Sequence, residues 1–136
     1  MDEIARERGL HDMYFLNPSG LDESATQSGG YGSARSVAAL FAYVASAHAE
    51  VFTATARKEV TITSQEGRAV VASNTDDALD AIPGIVLGKT GYTDLAGGNL
   101  AVVFETEGHS IVAVVLGSTK DGRFSDMRAL VAGVQK

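Results

Sequence analysis

Apolar and polar positions along the chain alternate with two different periods, and these divide it into elements. Ala34, Val37, Ala38, Phe41, Val44 and Ala45 fall on one stripe at helical spacing behind Ser33, a residue type that caps helix N-termini, which predicts a helix over about 34–47. A second short helix is expected over roughly Ala49–Thr55. Phe124, Met127, Val131 and Val134 repeat the helical spacing in a last element over about 123–134. Between these, Leu100–Phe104 and Ile111–Leu116 are apolar on both faces, the pattern of strands that sit centrally in a sheet covered on both sides. Glu59–Thr63 and Arg68–Ala72 read as a hairpin turning at Ser64-Gln65-Glu66-Gly67.

The remaining segments are governed by turn chemistry. Residues 2–9 predict a short polar helix closed by Gly9, with little stability unless it packs on something. Residues 10–32 read as a long irregular segment containing the turn Asn17-Pro18-Ser19-Gly20, with Met13, Tyr14, Phe15 and Leu16 ordering its first half. Ser73-Asn74-Thr75-Asp76-Asp77 is loop and capping chemistry leading to a helical turn near Ala81. Pro83-Gly84 then breaks the chain before the apolar run Ile85-Val86-Leu87.

Composition changes this picture mainly by exclusion. With 136 residues and 14.1 kDa the chain has one domain's worth of material, and 45% hydrophobic residues suffice for a core. A net charge of −6 argues against a nucleic-acid partner, which needs a basic face. The absence of cysteine excludes disulfides and thiolate zinc sites, and His11, His48 and His109 show no metal-ligand spacing; no metal and no cofactor are expected. No apolar run is long enough to span a bilayer, and the charged start MDEIARERGL is unlike a signal peptide.

The chemistry concentrates in Gly88-Lys89-Thr90-Gly91-Tyr92-Thr93-Asp94-Leu95-Ala96-Gly97, directly after the apolar run. Lys-Thr-Gly on a strand is one of the signatures of penicillin-binding proteins and class A β-lactamases. Other segments agree in order along nearly the whole chain: Asn17-Pro18-Ser19-Gly20-Leu21-Asp22, Gly32-Ser33-Ala34-Arg35, Ser73-Asn74-Thr75, Val114-Val115-Leu116-Gly117 and Arg123-Phe124. Together they resemble the serine-type D-alanyl-D-alanine carboxypeptidases, the low-molecular-weight penicillin-binding proteins. One departure is mild: the family usually carries Gly two residues before the lysine, where this chain has Leu87 followed by Gly88.

The other departure bears on the interpretation. No serine is followed three positions later by lysine, and Ser-x-Asn does not occur; the nearest pattern to the first is Thr55-Ala56-Arg57-Lys58. In the family both motifs precede the part that residue 1 resembles. The expectation is therefore that residues 1–136 correspond to the C-terminal part of a catalytic domain lacking the part with the nucleophile. The fold expected is α+β (broadly α/β), of the β-lactamase/transpeptidase type, an antiparallel sheet flanked by helices on both faces and incomplete here. An exposed apolar face is expected unless a second chain, such as an N-terminal half, covers it.

The resemblance also implies roles. Lys89 would be the catalytic lysine beside the nucleophile; Thr90 would bind the terminal carboxylate of a peptidoglycan stem peptide ending in D-Ala-D-Ala. Gly91, Tyr92 and Thr93 would present strand backbone to substrate or to β-lactams, and Arg123 would pair with the same carboxylate. It further implies a penicillin-sensitive enzyme on the extracytoplasmic side of a bacterial membrane. Each assignment has a plainer counterpart: Lys89 as a solvated edge-strand lysine, Thr90 as a β-former, Arg123 as a solvated charge near a helix start. Asn17 and Asp22 are expected to stabilise turns, and Asp76, Asp77 and Asp80 to be caps or solvated charges. The alternative to an enzyme part is a non-catalytic module that holds a peptide.

Overall fold

In the computed structural model, which describes residues 1–135, an antiparallel sheet of three strands forms the centre. The chain runs α1 (Asp2–Glu7), β1 (Tyr14–Phe15), β2 (Gly30–Tyr31), α2 (Ala34–Ala47) and α3 (Ala49–Phe52). A 3-10 turn (Thr53–Ala56) leads into the hairpin β3 (Glu59–Thr63) and β4 (Ala69–Ser73). A second 3-10 turn (Leu79–Ala81) precedes β5 (Ile85–Thr93), β6 (Gly97–Thr106), β7 (His109–Ser118) and α4 (Gly122–Val134).

The sheet order is β5-β6-β7, so β6 is the central strand expected from its two apolar faces. Leu100, Val102 and Phe104 on one face pack with Phe124, Met127 and Val131 of α4 and with Ala78 and Ile82, all of them buried. Burying a side chain of this size contributes about 1.5–3 kcal/mol each, which makes this the main source of stability. Ala101 and Val103 point to the other face, where α2 lies across β6 and β7. Helices thus flank the sheet on both faces. β7, expected to be central too, is an edge strand among the described residues, and most of its apolar side chains are only half-buried.

Local chemistry accounts for the ends of the elements. Ser33 caps α2 by accepting from the Ser36 N–H at 3.2 Å, and Asp12 accepts from the Ser36 hydroxyl and the Ser33 N–H. At the end of α1, Gly9 takes φ +74 while the Leu10 N–H reaches back to the Ala5 carbonyl at 2.9 Å, a Schellman closure. Ala5, Leu10 and Met13 then form a small second core against Phe15, Val37 and Leu40. The segment 10–32 is less irregular than expected. It folds back on itself through β1 and β2, which pair Tyr14 with Tyr31 and Phe15 with Gly30.

Among the described residues α2 buries only Ser36 below the surface, although most of its residues are apolar. Apolar clefts of about 390 Å³ (including Met13, Tyr31, Val37 and Leu116) and about 310 Å³ (including Ile4, Leu10, Leu40 and Tyr43) open beside it. This is the uncovered apolar face expected from the sequence. No single helix among the described residues is long and apolar enough to cross a membrane.

Candidate active-site cleft

β5 positions the lysine because it is the other edge of the sheet. It is held on one side by β6, with Lys89 opposite Ala101, Thr90 opposite Leu100 and Gly91 opposite Asn99. Its outer side carries no strand among the described residues. The Gly88 N–H points off the sheet and donates to the Thr55 hydroxyl at 3.0 Å. Because successive residues of a strand direct their backbone groups to alternate sides, the amides of Thr90 and Tyr92 also face off this open edge.

A cleft of about 310 Å³ opens at that edge, lined by Lys89 and Thr90 on β5, by Thr75 and Asn74, and by the β3–β4 hairpin. Thr90 and Thr75 hydroxyls share a hydrogen bond of 2.7 Å. The Lys89 ammonium is exposed and donates to the Thr90 carbonyl. Asn74 fixes the floor: its side-chain amide donates to the carbonyls of Thr55 (2.7 Å) and Arg57 (3.0 Å), and its own N–H to the Lys58 carbonyl at 2.7 Å. Every charged side chain lining the cleft, Arg57 and Lys89, is cationic.

Behind β5 stands Arg123, from the first turn of α4. It is buried, not solvated, and its Nη1 donates to the Gly91 carbonyl at 2.8 Å while the guanidinium lies 4.6 Å from the Phe124 ring centre. Its Nε has no hydrogen-bond partner among the described residues, and neither has Oδ2 of Asp76, a second buried charge on this side. Asp76 Oδ1 accepts from the Ala78 N–H at 2.9 Å in an Asx turn; it does not cap the second 3-10 turn, which has no side-chain cap, and it is buried, so it is neither the cap nor the solvated charge expected. Burial pushes its carboxyl above the usual range and Asp77 adds to that push, while the Ala78 hydrogen bond, Arg123 and Arg128 act the other way. Asp77 and Asp80 are exposed, Asp80 pairing with Lys58 at 2.6 Å.

Of the site residues singled out in the sequence, Lys89, Thr90, Gly91, Tyr92 and Thr93 lie along β5, and Arg123 reaches that strand from α4. Lys89 and Thr90 share the cleft; Gly91 and Arg123 meet behind it. Tyr92 is exposed, with the Lys120 ammonium 5.6 Å from its ring centre. The Thr93 hydroxyl is engaged by the Asp22 carboxylate at 2.8 Å, and Asp22 also accepts from the Leu95 N–H at 3.2 Å. Sequence reasoning missed Thr75 as the partner of Thr90. Its one signal was its place in Ser73-Asn74-Thr75. Thr55, the only residue resembling a nucleophile motif, donates to the Phe52 carbonyl at 2.6 Å and accepts from Gly88, a bracing role. Among the described residues no group of histidines and carboxylates could hold a metal ion.

At the start of β6 glycine is demanded at two successive positions. A Cβ on Gly98 would lie 2.1 Å from the Thr119 carbonyl oxygen, and Gly97 has φ +67 with the Ser118 carbonyl oxygen 2.8 Å from where its Cβ would be. Gly91 differs. A Cβ there would meet nothing closer than Asn99 Cβ at 3.8 Å, so packing within this chain does not require glycine.

A helix-flanked antiparallel sheet with Lys-Thr-Gly on an open edge defines a penicillin-binding type of domain, and the solved structures agree. The chain superposes on penicillin-binding protein D2 from Listeria monocytogenes, in its ampicillin-bound form, with TM-score 0.82, 28% identity, and coverage of 98% of this chain and 53% of that one. For the D-alanyl-D-alanine carboxypeptidase from Mycobacterium tuberculosis H37Rv the values are 0.78, 23%, 99% and 52%. A mutant of the Streptomyces K15 DD-transpeptidase gives 0.78, 21%, 98% and 51%. The chain belongs to the D-alanyl-D-alanine carboxypeptidase family (peptidase family S11), whose sequence model matches residues 1–120. It spans about half the length of these solved relatives. No functionally curated protein matches the sequence.

Proposed function

We propose that this chain forms the substrate-gripping side of a serine-type D-Ala-D-Ala carboxypeptidase that trims the terminal D-Ala from peptidoglycan stem peptides and is acylated by β-lactams. The observation that carries the reading is the open edge of β5: a cationic cleft with Lys89 and the Thr90 hydroxyl, flanked by outward-facing amides. An extended peptide can add to such an edge as a strand, its terminal carboxylate meeting the Thr90 hydroxyl and the positive field.

The chemistry would be acyl transfer. A serine hydroxyl attacks the penultimate D-Ala carbonyl as its proton passes to a base, and the Tyr92 N–H receives the developing oxyanion. The C–N bond breaks, D-Ala leaves with a proton, and water hydrolyses the ester. Lys89 would hold the field positive and assist proton transfer. Arg123 would set the Gly91 peptide and add positive charge behind the carboxylate site. The freedom around Gly91 suits a substrate backbone passing close by. The serine would come from a partner segment, an N-terminal half with Ser-x-x-Lys and Ser-x-Asn, seated on the apolar face beside α2. An extracytoplasmic place of work follows from such a substrate.

Intact-mass analysis after incubation with a labelled penicillin, co-purifying chains included, tests this. An adduct on a second chain is expected; an adduct on residues 1–136 themselves would reveal another nucleophile and sink the motif argument. One second reading is a non-catalytic module that holds such peptides, for which the open edge of β5 suffices without a nucleophile. Under it, peptide binding persists and no adduct forms on any chain.

A further inference from the structure

Asp76 is the one buried carboxylate among the described residues, and no cation closes onto it. The single ion pair among those residues joins Lys58 to Asp80. Oδ1 of Asp76 accepts from the Ala78 N–H, while Oδ2 has no hydrogen-bond partner. Oδ2 lies against the strand of the site: a Cβ on Gly88 would stand 3.6 Å from it. Gly88 and Thr90 face the same side of β5 two residues apart, so the Thr90 side chain stands roughly 7 Å further along. Thr75, whose hydroxyl holds that of Thr90, immediately precedes Asp76 in the chain.

The other charges around Asp76 are disposed differently. Arg123 and Arg128 reach it from α4 and offset its charge in part; Asp77 adds to it from the same loop. Lys89 leaves β5 on the opposite face. At the mouth of the cleft stand Arg57 and Glu59, whose carboxylate accepts from the Ser73 hydroxyl of the cleft lining at 3.4 Å. Glu59, Asp77 and Asp80 are exposed, so solvent screens them. Asp76 alone presents an unscreened negative charge behind the proposed carboxylate site.

We propose that Asp76 is a specificity-determining residue that loosens the grip of the cleft on a terminal carboxylate: its buried charge opposes the carboxylate held at Thr90, and an anionic peptide binds with uptake of a proton by Asp76. The proposal rests on the function proposed above. Two like charges about 10 Å apart, at an effective dielectric constant of about 20, weaken binding on the order of tenfold. Burial already pushes the Asp76 carboxyl above its usual range, so a nearby anion finds a group ready to accept a proton. Peptide substrate and released D-Ala present the same carboxylate. Ionised Asp76 therefore loosens both, which keeps the product from holding the cleft.

Calorimetric titration of the 136-residue chain with acetyl-D-Ala-D-Ala and with its C-terminal amide tests this, from about pH 7 down to about pH 4.5, where the peptide carboxylate is still ionised. Wild-type affinity for the acid is expected to rise several-fold over that range, with proton uptake visible in buffers of different ionisation enthalpy, while affinity for the amide stays flat. Asp76→Asn should bind the acid about tenfold more tightly than wild type at pH 7 and lose the pH dependence. Glu59→Gln and Asp77→Asn should keep it. If wild type shows no pH dependence, if Asp76→Asn retains it, or if the amide responds as the acid does, the role given to Asp76 is wrong and the site stands. If acetyl-D-Ala-D-Ala binds neither wild type nor Asp76→Asn at any pH, the proposed function fails and this inference with it.

Discussion

The Asp22 carboxylate accepts a hydrogen bond of 2.8 Å from the Thr93 hydroxyl across 71 positions of sequence, tying the turn-rich segment before α2 to the end of the Lys-Thr-Gly strand. Thr93 in turn accepts from the Ala96 N–H at 3.0 Å, so one carboxylate orders the whole β5–β6 turn. Asp22→Ala removes the acceptor from two donors and is expected to cost about 1–3 kcal/mol. A double-mutant cycle of Asp22→Ala with Thr93→Val in urea should show coupling of at least about 0.5 kcal/mol. Additive losses would mean that the two residues act separately.

The shared hydrogen bond of Thr90 and Thr75 aims one hydroxyl into the cleft. Thr90→Val keeps shape and removes that donor. Under the proposed function this hydroxyl meets the peptide's carboxylate, and since a hydrogen bond to a charged group contributes roughly 1.5–3 kcal/mol, affinity for acetyl-D-Ala-D-Ala should fall about ten- to a hundredfold. Thr75→Val should cost less, because it leaves the Thr90 hydroxyl free to reach a carboxylate alone. Calorimetric titration measures both. Equal losses would assign the carboxylate contact to the pair and not to Thr90.

These two relationships mark the limit of what the sequence discloses. The helix over Ala34–Ala47 was legible because stripe and cap are local, and β6 because five successive apolar residues leave few places but a covered sheet. β1 and β2 were not legible: a two-residue ladder has no period, and it exists only because Gly30 and Tyr31 return to Tyr14 and Phe15. Lys89 and Thr90 stand out through the order of motifs around them, whereas Asp22 and Thr75 acquire their partners only when distant segments meet. Among the acids of 76–80, sequence offers no way to tell that Asp76 turns inward while its neighbours stay exposed.

Asp76 makes acid titration a test of its burial. Its carboxyl is pushed up in the folded state, so the native protein holds a proton there over a range where the unfolded chain has lost it. Stability from this group is therefore greatest below the unfolded value, about 3.9, and declines as pH rises through the higher folded value. Asp12 is shifted down by its bonds to Ser33 and Ser36 and acts in the opposite direction at low pH, so wild type alone would confuse the two. The difference between wild type and Asp76→Asn cancels Asp12. Urea midpoints for the asparagine variant should exceed wild type at pH 7, and the excess should shrink as pH falls towards 4. A pH-independent difference would mean that Asp76 titrates as an ordinary surface acid.

Arg123 separates the charge behind the strand from its shape. The guanidinium donates to the Gly91 carbonyl and lies near the Phe124 ring, an arrangement that needs a planar fork in a buried place. Arg123→Lys keeps the charge but replaces the fork by a point charge that is more strongly hydrated. It should cost about 1.5–3 kcal/mol of stability through loss of the charge-assisted bond to the Gly91 carbonyl. Hydrogen exchange at Gly91, whose amide turns to β6, should rise in this variant while that of Val102 and Val103 stays slow. Arg123→Met fills similar volume without charge and should lose the same strand protection, but it should weaken acetyl-D-Ala-D-Ala binding further than lysine does, because the positive field falls as well. If lysine and methionine weaken binding equally, Arg123 serves the substrate through the geometry of the Gly91 peptide and not through its charge.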